Sequence, residues 1–256
     1  MKSALWKYAV LMLLALAGMA ASGRAELSFQ TINMLALGQG NSSLPASGPL
    51  TAGAFPYGTP STFEGVPFYI TSDANQVWAA ATAAGEWSQA PVSITFQMPV
   101  NNIYGFYTLA NTWWGTNGLT AVKYTFTFDD NTSYSVSLTN GVDLRDFNVY
   151  AGNTWATTIN GTTTINVYAD PETTYHLDRQ WIDLAAAGFG GKNLVSFTIE
   201  DTGGWNNSRI FLAAATAQVG EAGQVVPEPS PLLLLSVAGG LALLLRRRLS
   251  SVSAGR

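Results

Sequence analysis

The segment Val122-Lys123-Tyr124-Thr125-Phe126-Thr127-Phe128 decides the fold class of this 256-residue chain. Its apolar and aromatic side chains fall at every second position, with lysine or threonine between them. A period of two places alternate side chains on opposite faces of a β-strand, so one face is buried and the other is hydrated. Asp129-Asp130-Asn131 then predicts a turn, and Thr132 to Leu138 predicts the returning strand of a hairpin.

Strand-like segments recur on both sides of this hairpin. Turns rich in Gly, Asn, Asp and Thr separate them without a long helical period, which indicates an antiparallel all-β protein. With about nine or ten strands in one domain, we expect a jelly-roll-like β-sandwich. The other predicted strands are Leu27 to Asn33, Val66 to Ile70, Val92 to Gln97, Ile103 to Leu109, Thr163 to Tyr168, Tyr175 to Leu184, Leu194 to Glu200 and Arg209 to Thr216.

The first 25 residues have the features of a secretory signal peptide. Two lysines precede an apolar stretch from Tyr8 to Ala21, and the small residues Gly23 and Ala25 precede a cleavage position before Glu26. Ala21 and Gly23 are alternative cleavage positions. We therefore expect an exported protein with a β-sandwich domain over residues 26–217, followed by a linker over residues 218–226.

The C-terminal segment over residues 227–250 has three parts. Pro227, Glu228 and Pro229 precede an apolar run from Leu232 to Leu245, and the basic residues Arg246, Arg247 and Arg248 follow it. As a helix the run is about 21 Å long, which is short against roughly 30 Å of hydrocarbon. The arginines favour the cytoplasmic side of a membrane. A short transmembrane helix that is later cut off, or a simple anchor, fits this pattern.

This tripartite tail resembles the PEP-CTERM sorting signal of secreted bacterial proteins. The resemblance implies recognition by an exosortase-type transpeptidase. It also implies a transient anchor in the inner membrane and a final place at the cell surface or in an extracellular matrix rich in exopolysaccharide, as in a biofilm.

Charge and composition narrow the possible partners. Between Glu26 and Val226 the chain has 5 basic and 15 acidic residues, and therefore a net charge of −10. Nucleic acid is a poor partner for such a domain, because phosphate binding needs a basic face. The chain contains no cysteine, so it has no disulfide and no thiol chemistry.

Three short motifs carry a second resemblance. Phe63 to Phe68, Asn111 to Gly115 and Gly141 to Asp146 follow one another in a series similar to secreted bacterial domains of the galactose-binding-like β-sandwich type. The likeness covers most of the stretch from Val66 to Thr216. It implies a jelly-roll sandwich and sugar binding, but it assigns no binding residue.

Tryptophans are the first candidate ligand-binding residues. Seven lie between Glu26 and Val226, and indole faces stack on the apolar faces of sugar rings. Trp113 and Trp114 are adjacent, so on a strand end one belongs to the core and at most one faces a ligand. Trp155 and Trp205 lie in segments rich in Gly and Asn that are typical of loops. The alternative is that these indoles close the ends of the sandwich.

Asp143, Arg145 and Asp146 form the second candidate group. We expect them to line one rim of a ligand cleft, unless Asp143 and Arg145 form a structural ion pair on one face of the segment. The body has so few basic residues that Arg145, Arg179 and Arg209 are each expected to brace a carboxylate.

Metal binding and catalysis have weaker signals. Asp129 and Asp130 could supply oxygen ligands to Ca²⁺, but the spacing of an EF-hand loop is missing. The single histidine, His176, fits a structural hydrogen bond better than a nucleophilic triad. Glycoside hydrolysis would need two suitably spaced carboxylates among Asp143, Asp146, Glu200 and Asp201. The sequence favours a non-catalytic carbohydrate-binding protein, then a purely structural surface protein, then a hydrolase.

Overall fold

The computed structural model describes residues 27–33, 60–70, 78–81, 88–169, 174–204 and 207–220. All named elements in these ranges are β-strands, and every strand pairing is antiparallel, which confirms the predicted all-β class. The strands are β1 (Leu27–Ile32), β2 (Pro60–Phe63), β3 (Val66–Tyr69), β4 (Trp78–Ala79), β5 (Val92–Trp113), β6 (Thr120–Phe128), β7 (Ser133–Thr139), β8 (Thr164–Ala169), β9 (His176–Asp183), β10 (Lys192–Asp201) and β11 (Arg209–Gly220).

One nine-stranded sheet contains all of these strands except β2 and β3, which form a separate hairpin. Its main path runs β1-β11-β5-β10-β6-β7, while β9 also pairs with β5, β8 with β9, and β4 with β11. The 22-residue strand β5 belongs to both halves of this sheet. Its first half pairs with β10, and its second half lies between β11 and β9.

These halves form two wings that face each other. The β6 wing contains β7, β6, β10 and the first half of β5; the β11 wing contains the second half of β5 with β11, β1, β9, β8 and β4. Phe106 of the β11 wing reaches across to Phe126 and Phe197 of the β6 wing, with ring centroids 5.2 and 4.8 Å apart. The fold is therefore a sandwich-like all-β structure.

The main core fills the space between the wings. The alternation of apolar and polar residues along β6 places Val122, Tyr124, Phe126 and Phe128 in this core, while Lys123 is exposed. These four side chains are nearly inaccessible to solvent, and their burial drives the pairing of the wings.

A second core covers the outer face of the β11 wing. Val66, Phe68 and Ile70 of the β2–β3 region pack there against Leu109 and Phe211. With apolar cover on both faces, β11 is buried over nine consecutive residues, Arg209 to Ala217. The strand therefore lacks the alternation of buried and exposed residues that is typical of a sheet with one face in water.

Several elements differ from the sequence prediction. Val92 to Gln97 and Ile103 to Leu109 belong to one strand, because β5 continues through Pro99 and Asn102 with shifts of register on β10. Asn102 has a positive φ of 55° and lies between Val100 and Ile103, where the register on β10 shifts. The short strands β2 and β4 were not predicted.

The terminal strands close the described domain. Leu27 of β1 pairs with Gly220 of β11, so β11 includes residues 218–220, which the sequence analysis assigned to the linker. Leu27–Ala222 is one compact unit. It contains both cores and all strand pairings, so we expect it to fold without the flanking segments. The predicted signal peptide, the rest of the linker and the sorting tail lie outside the described residues. The described residues contain no helix that is long and apolar enough to cross a membrane.

Candidate functional site

A recess of about 140 Å³ lies where β5 ends against the loop after Asp146. It brings together residues that are far apart in the chain and rich in aromatic and amide groups. Four of the predicted site residues line it, Trp113, Trp114, Asp146 and Trp155, together with Phe147, Asn148, Tyr150 and Asn153. We call this site the Trp114 recess.

The two adjacent tryptophans have different environments. Trp113 is 6% exposed and packs against Phe147 and Phe211 in the second core. Trp114 is half-buried and has a φ of 55°, in the left-handed region that a bulky residue rarely adopts. This conformation turns the chain at the end of β5, so Trp113 is buried within the second core while Trp114 is half-buried against it, and both line the recess.

Asp146 fixes the base of the recess. Its carboxylate is 3% exposed and accepts hydrogen bonds from the backbone N–H groups of Trp114 at 2.7 Å and Asn148 at 2.8 Å. Burial raises the pKa of Asp146 to about 6, although hydrogen bonds from Asn148, Trp114 and Gly115 favour the ionised form. Asp146 therefore holds two sides of the recess in position.

The opposite side of the recess is a loop held by its own amide groups. Asn153 accepts a hydrogen bond from the backbone N–H of Trp155 at 2.9 Å and donates one to the backbone carbonyl of Asn148. Tyr150 is 49% exposed. Tyr150, Asn148 and Asn153 were not predicted as site residues. Aromatic and amide side chains close to Trp155 in the sequence are nevertheless of the types that bind sugars.

A buried ion pair supports the loop from below. Arg145 donates to both carboxylate oxygens of Asp178, at 2.7 Å from Nε and 2.6 Å from Nη2. Asn111 of β5 donates to the same carboxylate at 2.7 Å. Arg145 does brace a carboxylate, but its partner is Asp178 and it does not line the recess.

Asp143 also lies outside the Trp114 recess. Its carboxylate accepts a hydrogen bond from the backbone N–H of Thr139 at 3.0 Å and thereby stabilises the turn after β7. Of the three residues expected to form one rim, only Asp146 lines this recess. Trp205 lies outside the described residues.

The other two arginines have different partners. Arg209 lies 3.6 Å from Asp201 in a fully buried pair. Arg179 donates to the backbone carbonyl of Glu64 and lies over the ring of Tyr107.

The Asp129–Asn131 turn is held by a lysine. Asp130 accepts hydrogen bonds from Lys192 Nζ at 2.5 Å and from the hydroxyl and backbone N–H of Thr132, and these contacts lower its pKa to about 2. Asp129 accepts a hydrogen bond from Asn193. The described part of the chain has no cluster of three or more His, Cys, Asp or Glu side chains suited to a metal. Binding of Ca²⁺ at this turn would have to displace the Lys192 ammonium.

The remaining candidates for catalysis each have structural contacts. Asp201 accepts hydrogen bonds from the backbone N–H groups of Gly203 and Ile210, and Glu200 pairs with Lys123. The Nδ1 of His176 lies 2.9 Å from the side-chain amide of Asn166. Burial, with a smaller contribution from nearby Arg145, lowers the pKa of His176.

The pKa of Asp146 predicts a pH dependence of stability. Because the folded pKa of about 6 exceeds the ordinary value of 3.8, the folded protein binds the proton more tightly than the unfolded chain. The resulting stabilisation is complete below about pH 4 and is lost as the pH rises through about 6. Compared with Asp146→Asn, the wild type should lose about 1–3 kcal/mol of unfolding free energy between about pH 4 and pH 7.

Urea unfolding of both proteins across this pH range measures the difference. Asp201, whose pKa burial also raises, is present in both proteins, so its contribution cancels. A difference in unfolding free energy that does not change with pH would contradict the assignment.

Comparison with protein-family models and with curated proteins finds no match for this chain.

Proposed function

We propose that this protein is an exported surface or matrix protein whose β domain binds carbohydrate, without catalysis, at the Trp114 recess. The observation that carries the proposal is the grouping of Trp114, Tyr150 and Trp155 around one recess with the amides of Asn148 and Asn153. Aromatic faces bind the apolar faces of sugar rings, and amide groups pair with sugar hydroxyls.

The size of the recess suggests what it binds. At about 140 Å³ it is smaller than the roughly 300–1,000 Å³ pockets that enclose drug-sized ligands. A single sugar residue, such as a chain end or a side branch of an exopolysaccharide, fits this volume better than a long chain. The recess is lined by one carboxylate and no basic residue, which favours a neutral sugar.

Backbone strain at Trp114 supports a functional role for this position. A non-glycine residue in the left-handed region costs about 1–2 kcal/mol, and such strain concentrates at binding sites, where the surrounding structure maintains it. Here the hydrogen bond from the Trp114 N–H to Asp146 maintains it.

The contacts of the acidic residues support a binding role over hydrolysis. Asp146 accepts a backbone hydrogen bond on each carboxylate oxygen, Asp143 caps a turn, and Asp201 is buried beside Arg209. A glycoside hydrolase needs one carboxyl group free to donate a proton and a second free to act as base or nucleophile.

The route to the surface follows from the sequence. We propose that the N-terminal segment directs export and that the PEP-CTERM-like tail is recognised by an exosortase-type transpeptidase at the inner membrane. In this proposal the domain is a jelly-roll-like module, related to galactose-binding-like domains, that stays at the cell surface or in the exopolysaccharide matrix.

Thermal unfolding of Leu27–Ala222 with a panel of neutral polysaccharides, with and without Ca²⁺, tests the proposal. A ligand that binds only the folded state stabilises it by about 2.7 kcal/mol at a hundredfold excess over Kd. We expect one glycan to raise the melting temperature and Trp155→Ala or Trp114→Ala to abolish the shift.

Trp181→Phe provides the control. Trp181 stacks on Tyr107 and does not line the Trp114 recess, so this variant should keep the full shift. Loss of the shift in Trp181→Phe alone would place the ligand elsewhere. The absence of a shift with every glycan would instead favour a purely structural surface protein.

A further inference from the structure

Strand β7 is a sheet edge whose outward groups can be assigned from the hairpin. Among the described strands it pairs only with β6. The backbone N–H of Phe128 donates to Thr132 at 3.0 Å, which makes this the first hydrogen-bonded pair of the ladder. Because such pairs alternate in antiparallel sheets, the backbone groups of Tyr134, Val136 and Leu138 point toward β6. Those of Ser133, Ser135 and Ser137 then point outward.

This edge lacks the features by which proteins prevent strands from pairing with other molecules. The β7 segment, Ser-Tyr-Ser-Val-Ser-Leu-Thr, contains no charged residue and no proline. Its register with β6 is regular from Val122 to Thr127. The other described edges of the sheet differ. The β8 ladder is interrupted by a register shift between Asn166 and Tyr168, whereas the shift in the β7 ladder lies at its end, between Thr120 and Val122. Strand β1 lies beside β3, and β4 has only two residues.

The inner side of this edge is the apolar wall of an open cleft. Tyr134, Val136 and Leu138 form this wall of a cleft of about 370 Å³, and Ile182 and Gln180 of β9 lie on the opposite wing. Two acidic residues, Asp143 and Asp183, also line the cleft. Tyr134 and Val136 are only partly buried. A strand added beside β7 would carry its own inward side chains over the mouth of this cleft, since alternate residues of neighbouring strands share a face.

The outer side of the edge is a neutral row of hydroxyl groups. Thr95, Thr198, Thr125 and Ser135 lie opposite one another across β5, β10, β6 and β7. Thr95 bonds to Thr198 and Thr125 to Ser135, each at 2.8 Å. In a domain with a net charge of −10, this row lets two copies approach with little local repulsion.

We propose that β7 pairs antiparallel with β7 of a second copy of the chain, about a two-fold axis at Ser135. The outward groups of each strand match this arrangement: Ser135 lies opposite Ser135, and Ser133 lies opposite Ser137 of the second copy. Three such pairs, with two hydrogen bonds each, give about six hydrogen bonds. The two β6 wings then form one continuous sheet.

The interface is small, so the dimer is weak in dilute solution and favoured where the protein is concentrated. A seven-residue strand pair buries less surface than the roughly 1,200–2,000 Å² of a stable complex. Pairing also places two Trp114 recesses in one dimer. Two sites on one particle bind a repeating polymer with higher avidity than one site does.

A charge exchange at Ser135 tests the two-fold arrangement. Sedimentation equilibrium of Leu27–Ala222 up to millimolar concentration should show a monomer–dimer equilibrium for the wild type. Ser135→Lys and Ser135→Glu place like charges on two residues whose Cα atoms lie about 5.5 Å apart across the axis, so each should raise the dissociation constant at least tenfold. An equimolar mixture should restore the dimer, because Lys and Glu then face each other.

Thr125→Lys is the matched control. It adds the same charge to the same face of the sheet, but on β6, one strand further from the interface. The two lysines of the dimer would then be about 14 Å apart, and physiological salt would largely screen their repulsion. It should dimerise like the wild type. Ser135 is exposed and Thr125 is half-buried, and each substitution removes the same hydrogen bond between their hydroxyl groups, so the three variants should have similar melting temperatures as monomers.

Three results would overturn the proposal. The first is a wild type that stays monomeric at every concentration. The second is a Ser135→Lys variant that dimerises as well as the wild type, which would place the interface on another edge or face. The third concerns the register. A mixture of the Lys and Glu variants that stays monomeric would reject the register centred on Ser135. Glycan binding enters none of these measurements, so they are independent of the proposed function.

Discussion

Replacing Asp178 by alanine is expected to lower the free energy of unfolding by about 3–5 kcal/mol, because it leaves a buried guanidinium without its partner. Asp178 is fully buried and binds Arg145 through both oxygens. It also accepts a hydrogen bond from the side chain of Asn111, and its own backbone N–H donates to the Oδ1 of Asn111. One side chain thus joins β5, β9 and the loop under the Trp114 recess.

An exposed ion pair is the matched control for this change. Lys123 and Glu200 form a salt bridge whose side chains are 45% and 39% exposed. Glu200→Ala should cost about 0–1 kcal/mol, since water and salt screen such pairs. Replacing both Arg145 and Asp178 by apolar residues should recover much of the loss, because no unpaired charge remains.

Urea unfolding followed by circular dichroism gives these free energies by linear extrapolation. A cost below about 1 kcal/mol for Asp178→Ala, equal to that of Glu200→Ala, would show that the buried pair does not form.

Phe197→Ala is expected to lower the free energy of unfolding by about 3–5 kcal/mol. Phe197 is fully buried at the centre of the main core. Its ring lies between 4.8 and 6.1 Å, centroid to centroid, from those of Phe96, Phe106, Tyr124 and Phe126. These rings come from both wings, so truncation opens a cavity in the contact that joins them.

Phe29→Ala makes the same chemical change at the surface. Phe29 on β1 is 38% exposed and contacts Tyr107 through one ring edge, so its truncation should cost about 1 kcal/mol or less. The same urea titrations measure both variants. Equal losses for Phe29→Ala and Phe197→Ala would contradict the face-to-face packing of the two wings.

Local patterns were sufficient for most of the strands. The alternation from Val122 to Phe128 predicted both the strand and its buried face, because one face packs in a core and the other meets water. The residue types of Asp129-Asp130-Asn131 predicted the turn that follows, where Asn131 has a positive φ of 63°, which asparagine tolerates.

Long-range packing explains the elements that the sequence did not predict. Val92 to Gln97 and Ile103 to Leu109 were predicted as separate strands, but pairing with β10 continues as far as Ile103, where pairing with β11 begins. Strand β4 has two residues and forms only because it pairs with Phe211 and Leu212 of β11. No local signal marks such a strand.

The candidate site was only partly predictable for the same reason. Adjacent tryptophans on a strand end must diverge, which anticipated the different environments of Trp113 and Trp114. The partner of Arg145 was not predictable, because Asp178 lies 33 residues away and meets it only once β9 pairs with β5. Tyr150 likewise joins the recess only through the path of its loop.

The most direct test of the central claim is calorimetric titration of Leu27–Ala222 with the neutral polysaccharide that stabilises it in thermal unfolding. We expect saturable binding at one site per chain in the wild type and in Trp181→Phe. We expect no measurable heat in Trp155→Ala, provided that this variant unfolds at the wild-type temperature. Equal binding by Trp155→Ala and the wild type would contradict the assignment of the Trp114 recess as the carbohydrate site.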